Sequence, residues 1–243
     1  MGVLISAATI TQFLLAIFLA IVGPVWDYFD TLKLRAHPSG KARLGYYRRT
    51  MLWLWTAACI ALVTPGWHAL FTLRGAGIQI AGQKWAWWTT ASLLALVILV
   101  QLVLPVVQVT LKYRNRAFLE PRQFESMRFF LPAARLERRW FAALCVTAGF
   151  CEELLFRGFL LRFMHGAPLR LGILWAIPIA ALIFGLHHLY LGRAGFLSTT
   201  LGGLVFIALF LLTGSLLAVM IFHALSDLAF LLYWRPKSIA EAA

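Results

Sequence analysis

The chain has 243 residues, 62% of them hydrophobic, with a mean hydropathy of +0.83 and only 13% charged. A soluble domain is near half apolar and a quarter charged, so this composition excludes an ordinary soluble protein and indicates an integral membrane protein. The formal charge of +13 does not indicate nucleic acid, because the basic residues are spaced between apolar runs and form no single patch, a pattern that membrane topology and anionic lipid explain.

A crossing helix needs about 20 mostly apolar residues. Windows of that kind fall at 3–26, 51–71 and 86–111. The first has no basic residue before it and no small-residue cleavage site after it, so it reads as a span and not as a signal peptide. A fourth window, 140–161, is apolar except for three charges near its middle, and a fifth, 171–192, carries His187 and His188 close to its end. From 194 to 234 only Asp227 is charged, which at about 1.5 Å per residue is too long for one crossing. Thr213-Gly214-Ser215 is the natural turn that divides it into a sixth and a seventh span. The expected fold is therefore all-α, a polytopic transmembrane helix bundle of about seven spans. Its parts are N-terminal spans with basic loops over 1–139, a second bundle over 140–234 and a short tail over 235–243.

Seventeen of the 22 basic residues fall in alternate loops, four in the other set, and Arg157 lies within a span. The positive-inside rule then puts the N-terminus outside and the C-terminus in the cytoplasm. Between the first two spans, 27–50 reads as a polar hairpin turning at Pro38-Ser39-Gly40. The stretch 112–139 mixes arginines with Phe124, Met127, Phe129 and Phe130, and reads either as a broken interfacial helix or as a basic loop. Cys59, Cys145 and Cys151 all lie in apolar runs without CxxC spacing and read as free core thiols. Gly202-Gly203 marks a close helix contact.

The fourth span holds the chemistry. A central intramembrane charge costs about 2.5 to 3.5 kcal/mol on insertion scales, so Glu152, Glu153 and Arg157 require an explanation. On a helix Glu153 and Arg157 stand about 40° apart and can pair, whereas Glu152 is about 140° from Arg157 and stays free. The fifth span adds His187 and His188; the seventh adds His223 and Asp227, four apart on one face. Each set has a structural reading as a satisfied buried polar group, but carboxylates, imidazoles and an arginine from three helices suit acid–base chemistry better.

These residues form three ordered motifs, Glu152-Glu153-x-x-x-Arg157, Phe184-x-x-x-His188 and His223-x-x-x-Asp227, within 140–232. They resemble those of the CaaX protease and bacteriocin-processing family, also called Abi proteins or glutamic intramembrane proteases. The family often has Asn where this chain has Asp227. The resemblance implies an intramembrane endopeptidase in which Glu152 and His188 activate a water and His223, with Asp227, stabilises the oxyanion. Glu153 and Arg157 would support the helix, and His187 would be a packed residue or an auxiliary donor. It implies a peptide or protein substrate such as a C-terminal tail or a leader; no cofactor is expected, and no bound metal because a zinc-type motif is missing. The short loops resemble prokaryotic members, which implies the inner membrane. Two alternatives stay open: a metal-dependent form of the same protease, disfavoured because HExxH and zinc spacing are missing, and a non-proteolytic membrane protein that regulates a partner. A Cys151 nucleophile is disfavoured, since it projects about 100° from Glu152.

Overall fold

The computed structural model describes residues 6–64, 70–71, 92, 127–166 and 169–233. The expected third span, 86–111, apart from Ser92, the tail 235–243 and residues 112–126 of the stretch 112–139 lie outside the described residues. The described chain is helical, and two helices are long and apolar enough to cross a membrane, Ala7–Ala36 and Leu189–Thr213. Ile173–Leu186 and Leu216–Leu231 are shorter apolar helices.

The first long helix is built in three pieces. Ser6 caps α1 (Ala7–Ile17) by accepting from the Thr9 amide at 3.2 Å, a wide π-helical turn follows over Phe18–Val22, and α2 runs over Gly23–Ala36. The hairpin is thus helical on both sides of its turn. Asp27 and its neighbours continue the first helix, and α3 (Gly40–Val63) starts eleven residues before the expected second span, because Ser39 caps it through the Ala42 amide. Next comes α4 (Arg135–Glu152), which runs through a second π-helical stretch, Glu153–Leu160, into α5 (Leu161–His165). After it come α6 (Ile173–Leu186), a 3-10 turn at Leu189–Leu191, α7 (Gly192–Thr213) and α8 (Leu216–Tyr233). The α7–α8 reversal falls on the expected turn: Gly214 sits at φ 69°, the left-handed position a glycine adopts without steric penalty, and its amide closes on the Phe210 carbonyl.

α4 packs between α3 and α8, and α6 packs on α7. One apolar core joins Leu15, Leu19 and Leu54 from the N-terminal helices with Leu155, Phe184 and Phe210 from the C-terminal ones. A second cluster, with Tyr46, Tyr47, Leu131 and Phe141, closes the end of the bundle where the hairpin turn lies. At that same end Arg43 grips Glu137 at 2.7 Å, and Arg138 donates to the Leu231 carbonyl at 2.7 Å. Burial opposes the charge on Glu137, but the Arg43 guanidinium and the Ala133 amide outweigh it and hold the carboxyl below its usual range.

Candidate active site

The site depends first on how closely two helices approach. A Cβ on Gly149 would stand 2.5 Å from the backbone nitrogen of Ala224, so only glycine lets α4 touch α8 at this level. One turn further along α4 come Glu152 and Glu153; beside Ala224 comes His223. The π-helical stretch then starts at Glu153, a local widening that recurs at functional sites.

Glu153 lies at the bottom of the arrangement, fully buried. Its Oε1 accepts from Arg157 at 3.0 Å and from His223 Nδ1 at 2.7 Å. Arg157 is buried as well; it donates to the Gly203 carbonyl at 3.3 Å and its guanidinium lies 4.3 Å from the ring centre of Phe184 and 5.2 Å from that of Phe206. The i,i+4 pair expected from the sequence is therefore present, and it has a third member: Glu153 also orients His223. With Nδ1 held, the imidazole presents Nε2 to Asp227 Oδ2 at 3.6 Å and Glu152 Oε2 at 3.9 Å. Side-chain exposure rises from 0% at Glu153 and 7% at His223 to 17% at Glu152 and 31% at Asp227. The charge set is sealed at one end and open at the other.

The adjacent histidines diverge because α6 ends at Leu186 and the pair lies in the turn that follows. His188 donates from Nδ1 to the Phe184 carbonyl at 3.1 Å and stacks on Tyr190, which leaves Nε2 as an acceptor. It makes no hydrogen bond or ion pair with Glu152 among the described residues. His187 points the other way, into the first helix. Its Nδ1 meets Asp27 Oδ2 at 2.7 Å, and its Nε2 donates to the Leu19 carbonyl at 2.8 Å. That carbonyl is available for a local reason: in the π-helical turn the Gly23 amide bonds back to Phe18, and the next residue, Pro24, has no N–H. Gly23 also makes room, since a Cβ there would stand 2.5 Å from His187 Cε1. Both nitrogens of His187 are thus consumed inside the protein.

Sequence reasoning did not connect Asp27 with residue 187, 160 positions away, nor Glu153 with His223. The one local signal for the first was Gly23-Pro24, a pair that breaks a helical ladder and exposes a carbonyl. Cys151, which the resemblance left without a role, is buried in the core. Among the described residues no three His, Cys, Asp or Glu side chains form a group that could hold a metal ion.

Residues 135–229 match the family model described as type II CAAX prenyl endopeptidase Rce1-like, which agrees with the family that the three motifs resemble. The matched segment contains all seven residues of the Glu152, His188 and His223 motifs named above, whereas Asp27 and Leu19 lie outside it. Neither a curated protein nor a solved structure matches the chain.

Proposed function

We propose that this CaaX-protease-type chain is a glutamic intramembrane endopeptidase whose catalytic groups are Glu152, His188, His223 and Asp227. One observation carries the assignment: His223 is fixed on Nδ1 by buried Glu153 and turns Nε2 toward two partly exposed carboxylates. That is how a preorganised acid–base site is built, with a sealed orienting partner behind the imidazole and reactive groups in front.

In this reading Glu152 takes a proton from a water that adds to the scissile carbonyl. Nε2 of His188, its only nitrogen not already engaged, shares in accepting that proton. When protonated at Nε2, His223 donates to the tetrahedral oxyanion, and the proton held by Glu152 passes to the departing amine as the C–N bond breaks. Glu153, and not Asp227, is the residue that orients His223. Asp227 lies on the reactive side of the ring, where an acid in the place of the family's frequent Asn faces the substrate region. Arg157 neutralises Glu153 so that a buried carboxylate is retained there.

Residues 140–234 carry this machinery, and 1–139 form the N-terminal spans. The proposed bundle crosses a prokaryotic inner membrane seven times with the N-terminus outside. In support, segments that the charge count assigns to the inside gather at one end: the α2–α3 turn, the start of α4 and of α7, and the end of α8. The substrate is a peptide or a membrane-associated protein, such as a C-terminal tail or leader. Comparison of membrane and secreted peptide termini from cells carrying wild type or Glu152→Gln tests the reading: termini present only with wild type support it, and identical sets overturn it. Turnover lost on metal stripping and restored by stoichiometric zinc would favour the metal-dependent form instead.

A further inference from the structure

The end of Ala7–Ala36 packs on the start of Leu189–Thr213, the two candidate membrane helices. Between these ends opens a cavity of about 560 Å3, bordered by Arg35, Arg43, Arg128, Pro38, Phe129 and Leu191. Three guanidiniums around one opening have no part in the proposed chemistry. Arg43 is gripped by Glu137, and Arg35 donates to the Tyr190 carbonyl at 3.0 Å with its guanidinium 4.7 Å from the ring centre of Phe129. Side chains so fixed lose little further freedom when they bind, which favours affinity.

Depth decides what reaches them. A helix of 30 residues is about 45 Å long, whereas the hydrocarbon core is about 30 Å thick, so the last turn of Ala7–Ala36 stands among the headgroups. Guanidiniums there meet phosphate diesters, whose oxygens match the planar fork of arginine donors, and the apolar walls at Pro38, Phe129 and Leu191 suit the glycerol and the start of the acyl chains.

We propose that this cavity binds the phosphate headgroup of an anionic phospholipid. The test uses the purified full-length protein in neutral detergent, titrated with phosphatidylglycerol or phosphatidylcholine, with retained lipid counted by native mass spectrometry. Wild type retains phosphatidylglycerol in preference. The double variant Arg35→Gln/Arg128→Gln loses about 30-fold of that preference, at about 1 kcal/mol for each basic residue near a lipid surface. Arg43 is left intact because its removal strands Glu137. Unchanged elution and circular dichroism establish that the variant folds; if it does not fold, Arg35→Gln alone serves, with a loss of about fivefold expected. Equal retention of both lipids by wild type, or an unchanged preference in a folded variant, overturns the assignment. So does displacement at matched concentration by soluble glycerol 3-phosphate, which would make this a free-phosphate site, or by a peptide with a free C-terminus but not by its amide, which would make it a peptide-tail site. No cleavage is measured, so the result is independent of the protease reading.

Discussion

His223 with Glu153 and His187 with Asp27 are the same pair in chemical terms. In each, Nδ1 meets a carboxylate oxygen at 2.7 Å and the histidine is buried. They part at the second nitrogen. Nε2 of His187 donates to the Leu19 carbonyl and is finished, whereas Nε2 of His223 faces Glu152 and Asp227 on the open side. A buried histidine–carboxylate pair is therefore not by itself a catalytic signature; what the remaining nitrogen meets separates a latch between helices from a group available to substrate.

The largest effect should come from the open side. Glu152→Gln is expected to lower cleavage by about 10³-fold, within the range for removal of a general base, at wild-type abundance. Full cleavage by the purified variant would remove Glu152 from the mechanism. His223→Gln should lower cleavage by about 10²- to 10³-fold, the scale of a lost oxyanion donor. Its melting temperature should fall only modestly, because Arg157 still neutralises Glu153.

The closed side should answer in stability. His187→Ala strands Asp27 and the Leu19 carbonyl, with an expected cost of about 3 to 5 kcal/mol read from denaturation or from membrane abundance. Turnover per folded molecule should stay within about threefold of wild type. If His187→Ala were as stable as wild type but inactive, the latch and the open site would have exchanged roles and the comparison would fail. Gly23→Ala sharpens the same point, since its new methyl group meets His187: a loss of about 1 to 3 kcal/mol is expected, again without a specific defect in turnover.

The smallest effect lies outside the apolar spans. Arg43 and the Ala133 amide depress the Glu137 carboxyl, so the stability it contributes is present above the ordinary glutamate range and disappears as pH falls through the depressed value. Glu137→Gln should lower the neutral part of a melting-temperature profile toward the acid value and so flatten that acid limb. An unaltered acid limb would show that the pair contributes little.

The residues that enter this contrast were legible in the sequence, though not their pairing. The charges inside an apolar run and the four-residue spacings of Glu153 with Arg157 and of His223 with Asp227 follow from composition and from helix period, and the three motifs as a set follow from the resemblance. The turn at Gly214 follows from a small polar triplet inside an overlong apolar run. The identity of the free histidine followed only from resemblance, since the angle between neighbours on a helix does not choose between His187 and His188. Their actual turn conformation, beyond the end of α6, lies outside that helical geometry altogether.

The sequence alone determined the helical class, the membrane character and the residues able to do chemistry, because these depend on local period and on the cost of burying charge. Tertiary structure decided the partners. Glu153 reaches His223 because Gly149 lets α4 meet Ala224 on α8, and Asp27 reaches His187 because a π-helical turn and Pro24 release a carbonyl beside Gly23. Helix period sets where a side chain lies around its own axis, but the rotation and approach of one helix on another come from packing between residues far apart in the chain. For that reason the sequence shows which carboxylates and imidazoles are present, and only the fold shows which nitrogen is left open.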